Sequence, residues 1–150
     1  MYCLIPLTRR RALLLLASGL VVSSALAQAS EGSLATWLPK QRWQKRVVLL
    51  CAPNSASSEL KAQRQQLAAA PAELQERDIV VREVLFDQLS GPDRQYITQK
   101  LGVKPTGFTL LLIGKDGGVK RRETAPISQA SLFGTIDTMP MRRQEARRPK

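Results

Sequence analysis

Four short stretches of the chain carry their apolar residues on consecutive or alternating positions. Val47-Val48-Leu49-Leu50-Cys51-Ala52 is a continuous apolar run closed by Pro53-Asn54. A run that is apolar on both faces predicts a central, fully buried strand. Ile79 to Phe86, Phe108 to Ile113 and Val119 to Glu123 predict three more. Gly114-Lys115-Asp116-Gly117-Gly118 joins the last two as a hairpin, with Gly available for positive φ. Between the strands the apolar spacing becomes helical. Leu60 and Leu67 share one face of a helix running to Ala70, with N-caps on offer from Ser55 to Ser58 and a first-turn acid in Glu59. Pro71 breaks or restarts that helix, and Leu74 belongs to the second piece. After the turn Gly91-Pro92-Asp93, a short helix carries Tyr96, Ile97 and Leu101. Ser128 caps a last helix whose apolar face is Leu132, Phe133, Ile136 and Met139, and Pro140 is expected to stop it. Ser33 to Lys45 is a lead-in anchored by Trp37 and Trp43. Met141 to Lys150 is a basic tail without apolar periodicity, expected to fray.

The element order is β-α-β-α-β-β-α. The first two strands need a helical crossover and are therefore expected to be parallel, while the last two form an antiparallel hairpin. A central mixed sheet with helices on both sides is the layout of the thioredoxin fold, an α/β architecture. The expected organisation is a signal segment at 1–27, a lead-in at 28–45, the folded domain at 46–140 and the tail at 141–150.

The N-terminal segment reads as an address. Arg9-Arg10-Arg11 precede the apolar run Ala12 to Val22, and Ala25 and Ala27 fit the A-x-A rule for cleavage before Gln28. The apolar run falls short of the ~20 residues that span a bilayer, which favours a cleaved signal over an anchor. The arginines lack the full twin-arginine pattern. The expected product is exported, periplasmic or secreted, and has no transmembrane segment in its mature form.

Composition narrows the chemistry. The chain has 150 residues, no His and two Cys, with a formal net charge of +11. Without His there is no Ser-His-Asp triad, no Cys-His dyad and no His-ligated metal. Two Cys build neither a Cys₄ zinc site nor a disulfide framework. Cleavage before Gln28 removes three Arg and Cys3, leaving a charge of +8 and one thiol, Cys51. An exported protein with one Cys is not stapled, so its stability must come from a core. No cofactor and no metal is expected.

Several segments resemble one family. They are Trp37 to Leu50 (W-L-P-K-Q-R-W-Q-K-R-V-V-L-L), Ala52-Pro53-Asn54 and Glu76 to Val81. The more specific ones are Ile113-Gly114-Lys115-Asp116-Gly117-Gly118-Val119-Lys120 and the stretch from Ile136 to Glu145. Together they are similar to a thioredoxin-like domain of unknown function. It occurs in small exported bacterial proteins and in the vertebrate extracellular proteins called DUDES, where it is described as peroxiredoxin-like. The resemblance covers Ser33 to Glu145 and implies the fold and an exported location, but no established reaction. Thioredoxin itself carries C-x-x-C after the first buried strand. Here Asn54-Ser55-Ala56-Ser57-Ser58 follows, so Ser55 and Ser58 have the spacing without the sulfur. Pro105 stands a few residues before the place of the thioredoxin proline.

The candidate catalytic residues are thus Cys51, Ser55 and Ser58. Cys51 ends an apolar strand, where burial favours an inert thiol over a reactive one. The serines are accounted for by helix capping. Lys115, Lys120, Arg121 and Arg122 crowd the hairpin, either as a docking patch or as protection of a sheet edge. Arg142 and Arg143 begin a second basic cluster, a candidate contact for an anionic envelope component or an acidic protein. Nucleic acid is disfavoured by the signal segment and by the lack of aromatics among these charges. The acids are scattered along the chain, though folding brings some such groups together. The leading expectation is a non-redox binding or accessory module with an unidentified protein or anionic envelope partner. The alternatives are a one-Cys thiol peroxidase using Cys51 and a basic module that holds anionic envelope components.

Overall fold

The computed structural model describes residues 32–147. The signal segment, Cys3 and the last three residues of the basic tail lie outside the described residues. The elements are α1 (Leu34–Lys40), β1 (Arg46–Ala52), α2 (Ser58–Ala68), α3 (Pro71–Glu76), β2 (Ile79–Leu85), α4 (Gly91–Gln95), β3 (Thr109–Ile113), β4 (Val119–Glu123), α5 (Gln129–Asp137) and α6 (Pro140–Ala146). A π-helical turn, Tyr96–Lys100, continues α4.

The strands lie in the order β2-β1-β3-β4. β1 runs parallel to β2 and antiparallel to β3, and β3 and β4 form the antiparallel hairpin. The mixed four-stranded sheet with helices on both faces is the architecture read from the sequence. Its centre is apolar on both sides because successive side chains of a strand point to opposite faces. Val48, Leu50 and Ala52 of β1 join Leu110 and Leu112 of β3 beneath Leu60 and Leu67 of α2 and Leu132, Phe133 and Ile136 of α5. The alternate residues Val47, Leu49 and Cys51 join Leu111 and Ile113 on the other face, under Leu34 and Leu38 of α1 and Ile97 of the π turn.

Local chemistry sets the element boundaries. The Ser57 hydroxyl accepts the Leu60 N–H at 3.3 Å and starts α2. Ser128 accepts the Ser131 N–H at 3.2 Å and starts α5. In the β3–β4 hairpin Gly117 adopts φ +84°, a conformation open to glycine at little cost. A side chain there would also meet Arg42, whose Nε lies 3.0 Å from the position of its Cβ.

Three parts differ from expectation. The lead-in holds a helix, α1. Trp43 is no buried anchor: it is 63 % exposed, with the Arg42 guanidinium 5.8 Å from its ring centre. Its backbone is left-handed, φ +65°, and its N–H donates to the Lys115 carbonyl at 2.6 Å. Finally, α5 does end just ahead of Pro140, but Pro140 also starts a further helix, α6. Proline suits a first helical position because its missing N–H would have had no intrahelical acceptor. The expected frayed segment is therefore mostly α6, folded back onto the domain.

Candidate functional site

β1 places Cys51 between Val84 of β2 and Thr109 of β3, with no exposed surface. Its side chain belongs to the α1 face of the sheet, opposite the face that carries α2. Burial pushes the thiol up to about 12, against the weaker opposing pull of the Arg122 charge. At neutral pH the group is a protonated, enclosed thiol, which is neither nucleophile nor metal ligand.

The loop after β1 is where the fold would carry a redox pair. Asn54 closes a small turn by accepting the Ala56 N–H at 3.0 Å. Ser55 is exposed, and Ser58 is the exposed first residue of α2. The Ser57 and Ser58 hydroxyls each donate to Glu59 at 3.0 Å. The Glu59 carboxylate is held below its ordinary value, first by its own backbone N–H and then by the two serines. The chain's own carboxylate thus occupies the positive end of α2.

The opposite end of the sheet is a dense charged network. Arg46 heads β1 on the row of Val48 and Leu50 and is only 1 % exposed. Its Nη1 donates to the Arg77 carbonyl at 2.8 Å and to Glu145 at 3.1 Å. Lys115 donates to Glu145 at 2.7 Å and to Asp78 at 2.9 Å, and Lys45 reaches Asp78 at 3.1 Å. Asp78 itself is left-handed at φ +51°, a conformation Asp tolerates better than most residues. Beside this group, Arg142 donates to Glu76 and Asp137, and Arg77 pairs with Asp137 at 2.8 Å and with Glu73. Burial raises the Asp78 and Glu145 carboxyls, but hydrogen bonds from their cations outweigh it and hold both below their ordinary values. Asp137 is held low by Arg77 and then by Arg142.

These pairings bear on the six basic residues expected to form docking patches. Lys115 and Arg142 are buried and bound to acids of the same chain. Lys120 pairs with Asp116. Arg121 points to the α5 face, donating to Glu123, Ser131 and Thr135. Arg122 points to the other face, donating to the carbonyls of Leu101 and Gly102. Of the six basic residues, Arg122 and Arg143 are exposed and make no ion pair among the described residues, and of these two Arg122 is tied to backbone carbonyls. Charges adjacent in sequence are thus directed to different partners. Among the described residues no cluster of His, Cys, Asp and Glu suits a metal ion, and no helix is long and apolar enough to cross a membrane.

Sequence reasoning singled out Lys115 and Arg142 as basic residues but missed their carboxylate partners, and it passed over Arg46. The available signal was an arginine heading a run that is apolar on both faces, a place with little room for water. The two most specific family-like stretches meet here, through Lys115 from one and Asp137, Arg142 and Glu145 from the other.

Fold and site together define a thioredoxin-like scaffold whose loop after β1 carries Ser55, Ser57 and Ser58 and whose one described thiol is enclosed. The chain belongs to the family described as domain of unknown function (DUF4174), which matches residues 37–145. It is 28 % identical over 137 residues to coiled-coil domain-containing protein 80 of Danio rerio, a match covering 75 % of this chain and 16 % of that protein. The chain thus spans about a sixth of the length of that vertebrate relative. Among solved structures it is similar to the reduced 2-Cys peroxiredoxin of Plasmodium vivax, with a TM-score of 0.55, 12 % identity, and coverage of 71 % of this chain and 72 % of that one. A mutant peroxiredoxin 6 of Arenicola marina aligns over 63 % of this chain and 61 % of its own, with a TM-score of 0.47 and 14 % identity. At these identities the likeness to the first structure concerns the fold.

Proposed function

We propose that the chain is an exported, non-redox binding or accessory module on a thioredoxin-like scaffold. One observation carries the reading. At the α2 start Ser57 and Ser58 donate to the chain's own Glu59, while Cys51 lies sealed on the opposite face of the sheet. A one-Cys peroxidase needs a thiolate that meets peroxide at the surface, and both the burial and the raised pKa of Cys51 argue against it. The reading as a basic module is weakened because two of its cations, Lys115 and Arg142, are buried against acids of the same chain. Export is supported by the sequence from Arg9 to Ala27.

Two assays test this. In a chain carrying Cys3→Ser, insulin reduction and peroxide consumption should not exceed buffer. Turnover that disappears on adding Cys51→Ser would overturn the non-redox reading. Cell fractionation should yield a product outside the cytosol that begins at Gln28, and an uncleaved cytosolic chain would refute export.

A further inference from the structure

Outside the charged network the cations are unevenly placed. α1 and the π turn cover one face of the sheet. The segments on that face carry exposed Lys40, Arg42, Arg94, Lys100 and Lys104, and exposed Arg122 points to it from β4. None of these makes an ion pair among the described residues. Arg94 and Arg122 are anchored by backbone carbonyls, those of Phe86 and of Leu101 and Gly102. The acids of the same segments are Asp87 and Asp93, and Asp93 is half-buried and accepts the Leu34 N–H at 2.8 Å. On the other side of the sheet Arg64, Arg77, Arg121 and Arg142 are each paired with an acid.

Exposed apolar groups stand at one end of this basic face. Trp43 and Val119 are the two large apolar side chains most open to water among the described residues. Val119 lies opposite Ile113, whose side chain belongs to the α1 face, and directly opposed residues of a sheet share a face. Trp43 is tied to the same hairpin through the Lys115 carbonyl. Its left-handed backbone is costly for a bulky residue, and an exposed ring returns little packing within the chain. Asparagine or glycine would hold that turn at lower cost. Neither Trp43 nor Val119 lines a described cavity, so no concave seat is offered there to the side chain of a bound peptide. An open indole among cations matches a bilayer surface, where tryptophan settles at headgroup level and Lys and Arg are drawn to anionic lipid.

We propose that the α1 face docks on an anionic lipid surface. Trp43 enters the headgroup layer beside Val119, and Lys40, Arg42, Lys100, Lys104 and Arg122 meet the lipid phosphates. Apart from Arg122, these are not the hairpin and tail cations that the sequence singled out. The inference rests on the binding-module reading and names its partner. Cys51, buried beneath this face, takes no part in it.

The test uses residues 28–150, the product expected after cleavage, which contains every described element and lacks the apolar run Ala12 to Val22 that would itself bind lipid. Equimolar phosphatidylcholine–phosphatidylglycerol vesicles should bind it saturably in cosedimentation. Pure phosphatidylcholine vesicles should bind about tenfold more weakly or worse, and rising salt should release the protein. Tryptophan emission should move to shorter wavelength on binding. Trp37, the other tryptophan, is half-buried against Arg82 and supplies a constant background. Trp43→Asn suits the left-handed backbone, so it should leave the fold intact, remove the emission shift and weaken binding about tenfold. Arg42→Gln should weaken binding about fivefold, the worth of one cation near an anionic surface. Lys61→Gln, in α2 across the sheet, removes the same charge and should leave binding unchanged. Absence of saturable binding to the anionic vesicles overturns the proposal. So does full affinity in Trp43→Asn, or a loss in Lys61→Gln as large as that in Arg42→Gln. Polyglutamate that shifts the Trp43 emission as strongly as the vesicles also overturns it and assigns the face to an acidic protein. Such a failure leaves the non-redox reading standing if Cys51 stays inert, whereas peroxide turnover at Cys51 removes that reading whatever the vesicles bind.

Discussion

Cys51 and Lys115 show what a residue type reveals before folding and what it does not. An apolar run around a cysteine already implies burial, because a central strand has no wet face. The Cys51→Ser variant should lose about 1–3 kcal/mol in denaturant unfolding, since the hydroxyl would sit in an apolar cluster without an assured acceptor. A loss within error of zero would mean that the site is wetter than the packing implies. Lys115 is the reverse case. A lysine in a glycine-rich hairpin looks solvated, and its burial follows from two acids 37 and 30 positions away, Asp78 and Glu145. No local pattern encodes such a meeting. Lys115→Met should cost about 1–3 kcal/mol, because it removes the cation that bridges Asp78 and Glu145 and leaves them only Lys45 and Arg46 respectively. An equally stable variant would show that the network contributes nothing net.

At the scale of elements, capping and periodicity carried most of the fold. Leu132, Phe133 and Ile136 mark the buried face of α5, and Ser128 begins it. Either Ser57→Ala or Ser128→Ala should cost about 1 kcal/mol in chemical denaturation through the lost cap. α6 was illegible for a physical reason. Its sequence P-M-R-R-Q-E-A lacks an apolar stripe, and it docks instead through Arg142 to Glu76 and Asp137 and through Glu145 to Arg46 and Lys115. Attachment by charge leaves no hydrophobic period to read. Pro140 both follows the end of α5 and begins α6, and only the docked segment reveals the second role.

At the scale of the whole molecule, the sheet order follows from the parallel crossover and the hairpin, and so was open to reading. The convergence of the two family-like stretches at one end of the sheet was not. That convergence makes stability depend on pH. Asp78, Asp137 and Glu145 are held below their ordinary values in the folded chain. The unfolded chain therefore binds more protons as pH falls, and the stabilisation is complete above the unfolded values of about 4. It is lost as pH drops through the lower folded values. Thermal unfolding midpoints should accordingly hold steady near neutrality and fall with acidification below about pH 4, less steeply in Glu145→Gln. A midpoint that rises with acidification would contradict the network.

The inertness proposed for Cys51 is decided by exposing the native full chain to hydrogen peroxide and following Cys51 by peptide-resolved mass spectrometry, which separates it from Cys3. Cys51 should stay reduced in the folded chain and oxidise as an ordinary thiol once the chain is denatured. Oxidation of Cys51 faster in the native chain than in the denatured one would contradict it.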